Sequence, residues 1–434
     1  MNKVRFGSLF QVPLRNGVYV KSDLHGAGTK IVNMGELFSF PFVSNQPMSR
    51  VQLSDSEKAT SLLEDGDLLF GRRSLVESGA GKCAVVICPS EPLTFESSVI
   101  RVRLDKMKAY PLFYYYWFKS PIGQATIRTL VTGSNVKGIK GSELKEIVVD
   151  CPSIEIQKKI ANTLFLLDKK IEANNTLSSK LESLASLIYD YWFLQFEFPN
   201  EEGEPYRSSG GKMAWNEELK RDIPEGWENG TIRKYVSRIT NGLNPRKNFT
   251  LGYGCNYYVT TKNLDNEGNI DFTTCDYISD DALTKINNRS DLQIGDVLFS
   301  GIATVGRVYL ITEKPQKWNI NEAIFALRPA KGVSSYFLYN FFQSEEIQKQ
   351  ADLNAIGSSQ RCLTQDHFLD IPCLYIPNNV QIMFEHKIKP IMDMRKMIEN
   401  ENRTLVSFRD FHLPLFMNGQ VTFKDDKEKA PLEE

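Results

Sequence analysis

The sequence Pro152-Ser153-Ile154-Glu155-Ile156-Gln157-Lys158-Lys159-Ile160 begins a stretch that runs to Tyr191-Trp192-Phe193 and predicts one long helix. Pro152 stands where helices often begin, and no later proline interrupts the stretch. Apolar residues recur at steps of three and four, which places them on one stripe, as in a coiled coil. These positions are Ile160, Leu164, Leu167, Ile171, Leu177, Leu181, Leu184, Ile188 and Tyr191. Such a stripe requires a packing partner.

A second helical stretch, introduced by Pro377, is the predicted partner. We expect the two helices to pack antiparallel, through Ile160, Leu164, Leu167, Ile171, Leu181, Leu184 and Ile188 of the first and Phe384, Ile388, Ile391, Ile398 and Leu405 of the second. The step from Asn174 to Leu177 breaks the alternation, as a stammer would. Asn174 is then either a buried residue that sets the register or an exposed residue near an irregularity.

The globular parts of the chain are duplicated, with a period near 225 residues. Asn16-Gly17 recurs as Asn241-Gly242, Gly66-Asp67-Leu68-Leu69-Phe70 as Gly295-Asp296-Val297-Leu298-Phe299, and Gly81-Lys82 as Gly306-Arg307. The aromatic segments after Tyr110 and Ser335 also match, and we favour core packing for them over base stacking. We therefore predict an α/β (α+β) fold in which each of two mixed domains is followed by a long helix.

Composition shifts suggest the boundaries of these parts. We expect a first domain at 1–150, a central helical spacer at 151–197, and a linker with a second domain at 198–376. A distal helical spacer at 377–418 and a charged tail at 419–434 would follow.

The bulk properties are those of a globular protein with 41% hydrophobic and 24% charged residues. Net charge is −1, although residues 1–150 carry five more basic than acidic residues and residues 201–377 four more acidic than basic. Nucleic-acid binding would therefore require local basic surfaces. Seven scattered cysteines, no apolar run of bilayer length and no signal peptide predict a cytoplasmic protein with reduced thiols and no membrane contact.

Motifs for catalysis and metal binding are not found in the sequence. Gly79-Ala80-Gly81-Lys82-Cys83 departs from a phosphate-binding loop, because Val76 and Cys83 replace the required glycine and hydroxyl residue. The four histidines have no metal-ligand spacing. Glu143-Leu144-Lys145 and Glu218-Leu219-Lys220 have a nuclease-like form without an upstream aspartate on a strand. We therefore expect no catalytic residue and no metal site.

The first helix and the segment after it resemble the central region of type I restriction–modification specificity subunits. The resemblance rests on 152–161 and on Leu167-Asp168-Lys169-Lys170-Ile171-Glu172, Ala185-Ser186-Leu187-Ile188-Tyr189-Asp190-Tyr191-Trp192-Phe193, Phe196-Glu197-Phe198-Pro199 and Ile223-Pro224-Glu225-Gly226-Trp227-Glu228. With the duplicated plan, it covers essentially the whole chain. It is weaker in the distal helix, where the Leu-Asp-x-x-Ile pattern is replaced by Ile391-Met392-Asp393-Met394-Arg395.

This resemblance implies a subunit without catalytic activity that recognises a bipartite, asymmetric sequence in double-stranded DNA, one half per target recognition domain. It implies docking of modification (methyltransferase) subunits, two of them, and of restriction subunits. S-adenosylmethionine, ATP and Mg²⁺ would bind to those partners, and no cofactor to this chain. Helices of 40 residues extend about 60 Å, and half-sites one DNA turn apart are separated by roughly 34 Å. Two domains at the ends of such helices could therefore reach both half-sites.

Polar residues on loops are the candidates for DNA contact, because base edges and phosphates are bound by Arg, Lys, Asn, Gln and Ser. In the first domain these are Arg72, Arg73, Lys82, Ser134, Asn135, Lys137 and Lys140. In the second they are Asn244, Arg246, Lys247, Lys262, Asn263, Arg307, Ser358, Ser359, Gln360 and Arg361. For any single one of them, a solvated surface charge is the simpler interpretation.

Two other classes of protein stay open at this point. The chain could be a coiled-coil scaffold with two domains that bind ligands other than DNA. It could also be a fused enzyme whose active site has no recognisable motif, which the missing motifs disfavour.

Overall fold

The chain folds into two units, and each contains a fully buried strand of related sequence, Leu68–Gly71 in one and Val297–Ser300 in the other. The computed structural model describes residues 2–21, 24–76, 79–133, 136–357 and 361–421. It divides the chain into two compact units. Unit 1 contains Met1–Ala173 with Glu401–Glu434, and unit 2 contains Asn174–Asn400. Each unit thus includes one half of the duplicated sequence and a part of each long helix.

The strands of unit 1 are β1 (Asn2–Arg5), β2 (Arg15–Asn16), β3 (His25–Val32), β4 (Phe42–Val43), β5 (Arg50–Val51), β6 (Leu68–Gly71), β7 (Arg73–Ser74), β8 (Cys83–Val86), β9 (Leu93–Phe95), β10 (Val99–Val102), β11 (Lys137–Gly138) and β12 (Val148–Cys151). The helices are α1 (Met34–Ser39), α2 (Asp55–Ser61), α3 (Pro111–Lys119), α4 (Pro121–Leu130), α5 (Gly141–Leu144) and the first part of α6 (Ile154–Phe193).

The main sheet of unit 1 has the order β2-β10-β6-β8-β4, and its central strand β6 is fully buried. Smaller sheets pair β1 with β12, β7 with β11, and β3 with both β5 and β9. The aromatic helix α3 packs into the core beside this sheet, with Tyr114, Tyr116 and Trp117 buried. These aromatic residues are therefore core residues, as the sequence favoured.

The strands of unit 2 are β13 (Met213–Asn216), β14 (Arg221–Pro224), β15 (Glu228–Thr231), β16 (Val236–Asn241), β17 (Asn256–Val259), β18 (Asp276–Ile278), β19 (Val297–Ser300), β20 (Val308–Leu310), β21 (Trp318–Ile320), β22 (Ile324–Pro329) and β23 (Pro372–Tyr375). Its helices are α7 (Asp280–Ser290), α8 (Ser335–Gln343), α9 (Glu345–Asn354), α10 (Gln365–Leu369) and most of α11 (Asn378–Met417).

The sheets of unit 2 repeat those of unit 1. The order β16-β22-β19-β20 corresponds to β2-β10-β6-β8, and the antiparallel pair β15–β23 corresponds to β1–β12. The parallel pair β17–β21 likewise corresponds to β3–β9. The duplication predicted from the sequence is therefore a duplication of topology, and the predicted fold class is confirmed.

Buried polar contacts are repeated along with the strands. Arg103 forms a two-pronged ion pair with Asp67, with Nε–Oδ1 and Nη2–Oδ2 distances of 2.8 and 2.7 Å. Arg328 forms the same pair with Asp296 at 2.9 and 3.0 Å. Both aspartates are almost fully buried next to the central strand. A planar guanidinium that faces a carboxylate in this way fixes the geometry of each sheet.

The beginnings of the two long helices are also equivalent. The buried Gln157 side chain donates to the Pro152 carbonyl at 2.9 Å, and the buried Gln381 side chain donates to the Ile376 carbonyl at 2.8 Å. Each glutamine binds the chain just before its helix. This contact sets the direction in which the helix leaves the domain.

In unit 1, α6 and α11 run antiparallel. Ile160 and Leu164 are buried in one cluster with Leu413 and Phe416. Further along the pair, Arg409 Nη1 donates to Asp168 Oδ1 at 2.6 Å. The other oxygen of Asp168 accepts from the Tyr116 hydroxyl at 2.7 Å. Burial and the charge of Asp168 raise the pKa of Tyr116, which keeps its hydroxyl protonated as a donor.

In unit 2, the other parts of the same helices also run antiparallel. Tyr189 and Phe193 of α6 contact Phe384 of α11, with ring centroids 5.9 and 5.0 Å apart. Arg395 of α11 pairs with Glu182 of α6 at 3.3 Å and donates to the Glu267 carbonyl at 2.7 Å. Burial raises the pKa of Glu182, and Arg395 opposes this shift.

The register of α6 differs from the prediction in its second half. Leu184 is 44% exposed, whereas Ala185 is buried. Burial along α6 follows steps of three and four without a break, through 171, 174, 178, 181, 185, 188 and 192. Asn174 lies on this buried stripe, so the predicted stammer after it is wrong, as is the placement of Leu184 at the seam. Leu177, Leu184 and Tyr191 belong to a second apolar stripe that faces outward.

The other predicted helix-packing residues lie on the inner side. Ile398 is buried and Phe384 and Ile388 are fully buried, while the remaining predicted residues of both helices are half-buried: Leu167, Ile171, Leu181, Ile188, Ile391 and Leu405. The residues 422–434 of the predicted tail lie outside the described residues.

The segment predicted as a linker has a defined structure. Strands β13 and β14 form a hairpin in it. The Phe198 ring stacks on Tyr206 and on Trp227, with centroids 4.8 and 4.9 Å apart. Stacking buries apolar ring surface that a flexible segment would leave in water. The glycines and serines here serve turns between ordered parts.

We expect Asp168→Ala to lower the free energy of unfolding by about 3 kcal/mol, because it removes the buried acceptor of both Arg409 and the Tyr116 hydroxyl and, among the described residues, leaves Arg409 only its pair with Asp410. Chemical denaturation of the full chain measures this change. Lys58→Ala is the control, since the exposed pair of Lys58 with Asp55 contributes at most about 1 kcal/mol. Equal effects of the two substitutions would contradict a special role for the buried pair.

Candidate nucleic-acid interface

A short two-stranded ribbon in unit 1 brings several predicted residues together. Strands β7 and β11 pair antiparallel, with Ser74 opposite Lys137 and Arg73 opposite Gly138. The ribbon borders a cleft of about 770 Å³ that is lined by Arg72, Arg73, Lys137 and Lys140, among others. Sequence positions about 65 residues apart thus form one basic surface.

A glycine shapes this ribbon. Gly133 has φ +105°, and a Cβ at this position would lie 2.2 Å from the Val136 carbonyl oxygen. Only glycine permits this close approach of backbone to backbone.

The four cations of the cleft differ in how they are held. Arg72 Nη1 donates to the Ser97 carbonyl at 3.4 Å, and Lys140 Nζ donates to Glu143 at 3.1 Å. Within the described residues, the charged groups of Arg73 and Lys137 make no ion pair. Arg73 is exposed and Lys137 is half-buried, so both can reach an anionic ligand.

Lys82, another predicted DNA-contacting residue, lies apart from this cleft. Its Nζ donates to the Phe38 carbonyl at 2.9 Å and lies 4.7 Å from the centre of the Phe38 ring. Burial lowers the pKa of this amine. The side chain therefore supports α1 from inside and does not line the basic cleft.

An equivalent arrangement exists in unit 2. Cys362 forms isolated bridges with both Ile302 and Ile356, as Gly138 pairs with Arg73 and with Thr132 in unit 1. Arg361 occupies the position of Lys137. Its guanidinium pairs with Asp352 at 3.3 Å and donates to the Ala355 carbonyl at 3.2 Å. These contacts hold Arg361 at the end of α9, and its base-reading role stays a prediction.

Asn263 and Arg307 are also part of the framework. Asn263 is buried, and its side-chain oxygen accepts from the Thr260 amide at 2.8 Å in a capping arrangement. Arg307 Nη1 donates to the Thr261 carbonyl at 2.9 Å and also to the Leu264 carbonyl. Both side chains stabilise the same turn, and their contact with DNA stays a prediction.

Among the other predicted residues of unit 2, Asn244, Arg246 and Lys247 lie between β16 and β17, and Lys262 lies in a short 3-10 helix, Thr261–Asn263. The Asn244 side chain accepts from the Arg246 amide at 3.1 Å and donates to the Glu322 carboxylate. Arg246, Lys247 and Lys262 are exposed. Ser134, Asn135, Ser358, Ser359 and Gln360 lie outside the described residues.

Three exposed apolar residues near the basic cleft were missed in the sequence. They are Leu75, Val76 and Val136. The sequence signal that could have found Leu75 and Val76 is a change in the distance between equivalent residues of the two repeats. Ser300 follows Gly71 by 229 positions, but Gly306 follows Gly81 by only 225, which indicates four additional residues in the first repeat.

Across the described ranges, no group of three or more His, Cys, Asp or Glu residues could hold a metal ion. Among the helices described, none combines the length and the apolar character that crossing a membrane requires.

Comparisons with known proteins support the resemblance seen in the sequence. The family described as "Type I restriction modification DNA specificity domain" matches residues 1–183 and again 224–393. The chain is 23% identical over 389 residues to the type I restriction enzyme MjaIX specificity subunit of Methanocaldococcus jannaschii, covering 87% of this chain and 84% of that one. It is 23% identical over 330 residues to the HindI specificity subunit of Haemophilus influenzae, covering 64% and 70%.

A solved structure shares the fold over nearly its whole length. The type I restriction-modification system S subunit from M. genitalium matches with a TM-score of 0.58 at 16% identity, covering 96% of each chain. The two matches to the family coincide with the two halves of the duplication, which favours this class over a scaffold of another kind. The chain belongs to the family of type I restriction-modification DNA specificity domains, and as a member of it is a DNA-recognition subunit that has no catalytic activity of its own.

Proposed function

We propose that each unit reads one half of a bipartite, asymmetric DNA sequence, and that the ribbon and its cleft contact the DNA. The observation that carries this proposal is a repeated framework with different side chains at equivalent places. Arg72, Arg73 and Lys140 of unit 1 correspond to Gly301, Ile302 and Thr364 of unit 2. Two units with the same sheet topology but different surface side chains suit a DNA target whose two halves differ in sequence.

The chemistry of the unit 1 cleft suits DNA. An arginine can bind the O6 and N7 acceptors of guanine through two hydrogen bonds, and lysines neutralise phosphates. Arg73 and Lys137 are the residues we assign to these contacts. In unit 2, we assign phosphate contacts to Arg246, Lys247 and Lys262.

We assign target recognition to 1–150 and to 198–376, and we assign the spacer role to 151–197 and 377–418, with 419–434 as a tail. The modification subunits would dock on the outward apolar stripes of α6 and α11. In unit 2, Leu184, Leu187, Tyr191 and Leu194 follow steps of three and four and are exposed. A regular exposed stripe of this kind fits the apolar face of a partner helix.

The partners would supply the chemistry. Two modification subunits are proposed, because the chain carries the domain-and-helix plan twice. They would bind S-adenosylmethionine, and restriction subunits would use ATP and Mg²⁺. The complex would act on DNA in the cytoplasm.

DNA binding is tested first by mobility shift at several salt concentrations, with and without modification subunits. We expect weak, salt-sensitive binding by the chain alone and tight, specific binding by the complex. Arg73→Ala with Lys137→Ala should weaken specific binding by the complex about tenfold to a hundredfold. Lys106→Ala with Lys108→Ala is the control, because these exposed lysines of unit 1 do not line the basic cleft and pair with Asp65 and Asp105. If both double variants bind alike, the cleft is not the DNA site.

Docking is tested by Leu187→Glu, which places a charge at the centre of the unit 2 stripe. Leu187 is 65% exposed, so the chain alone should keep its stability. Co-purification with the modification subunit should fall at least tenfold. Ser186→Glu, about 100° away around the helix, is the control and should assemble normally. Normal assembly of both variants would contradict docking on this stripe.

A further inference from the structure

Unit 1 carries an insertion that unit 2 does not. Nine residues separate Gly71 from Gly81, whereas five separate the equivalent Ser300 from Gly306. The base of the segment is the same in both units. The Gly81 amide donates to the Gly71 carbonyl at 2.7 Å, and the Gly306 amide donates to the Ser300 carbonyl at 3.0 Å. The sequence between the two bonded residues is therefore four residues longer in unit 1 than in unit 2.

The extended segment presents apolar side chains to solvent. Leu75 is 83% exposed and Val76 is 54% exposed, and Val136 on the facing segment is 49% exposed. Together with Phe38 and Met34 they line a cleft of about 510 Å³. Covering these apolar side chains with a ligand removes them from water, which favours binding.

This apolar cleft adjoins the basic cleft of the same unit. Arg73 and Val136 line both. A ligand on the basic surface that reaches past Arg73 therefore meets Leu75 and Val76. The ligand must combine hydrogen-bond acceptors or phosphates with a small apolar group next to them.

The major groove of DNA offers this combination. Guanine presents two acceptors there, and thymine presents its C5-methyl group, the apolar feature that side chains contact to recognise a T·A pair. We propose that Leu75, Val76 and Val136 form a pocket for the C5-methyl group of a thymine in the half-site read by unit 1, next to the base contacted by Arg73. This inference rests on the proposed function and adds the base that the insertion selects.

The pocket is specific to unit 1. The shorter segment 301–305 of unit 2 lacks the additional residues, and Ile302 takes the place of Arg73. Thymine selection by this pocket would therefore concern one half of the target and contribute to its asymmetry.

The test uses the complex with modification subunits and a target duplex identified by methylation profiling. Each thymine is replaced in turn by deoxyuridine, which removes only the C5-methyl group. At one position of one half-site, we expect binding to weaken about three- to tenfold. The Leu75→Ala, Val76→Ala double variant should show the same loss on the unmodified duplex and little further loss with deoxyuridine.

Met107→Ala is the matched control, because Met107 is exposed in unit 1 and lines neither cleft. It should behave like the unchanged protein on every duplex. The proposal is overturned if deoxyuridine has no effect at any position, or if the double variant loses as much from it as the unchanged protein does. Weaker binding by the double variant with no deoxyuridine effect would indicate a wedge between bases and would also overturn it.

The outcome separates this inference from the proposed function. If Arg73→Ala with Lys137→Ala weakens binding but deoxyuridine has no effect, the basic cleft binds DNA and the methyl pocket is wrong. If neither change has an effect, DNA contact at this cleft is wrong as well.

Discussion

The buried ion pair between Asp168 and Arg409 is the contact on which the arrangement of unit 1 most depends. It joins residues 241 positions apart in sequence, and the same carboxylate binds Tyr116 of α3. One side chain thereby fixes α6 against α11 and both against the globular part. A buried carboxylate tolerates little displacement, because any loss of its partners leaves a desolvated charge. Apolar side chains along the seam could slide by a turn, whereas this network permits one register.

Unit 2 reaches the same result with other residues. Arg395 binds Glu182 on the facing helix and the Glu267 carbonyl in the globular part. The requirement that a helix pair be tied to its own domain is thus met twice by an arginine of α11 and a carboxylate of α6, at different places along the two helices. By contrast, the pairs Asp67–Arg103 and Asp296–Arg328 are the same in both units. The sheets were kept during duplication, and the surfaces and helix contacts diverged around them.

The sequence predicted the parts of this structure in which the residue type itself sets the backbone conformation. Gly66 and Gly295 both have φ +89° before a buried strand, so the Gly-Asp motif revealed the repeat and hence the fold. The register of α6 was misjudged because the helix has two apolar stripes, and spacing alone does not distinguish the inner from the outer one. For a related reason, the sequence did not reveal that Lys82, Asn263, Arg307 and Arg361 bond to the backbone of their own chain. A polar residue on a loop can turn back to bind backbone groups, and the spacing of residues in the sequence does not tell whether it does.

The central claim is that one framework, present twice, holds two reading surfaces that act independently. The most direct measurement is methylation profiling of cells that carry the complex with unit 1 residues replaced by their unit 2 equivalents: Arg72→Gly, Arg73→Ile and Lys137→Arg. The account predicts that the methylated sequence changes or relaxes in one half only, with the other half and the distance between them unchanged. A change in both halves together, or in neither, would contradict it.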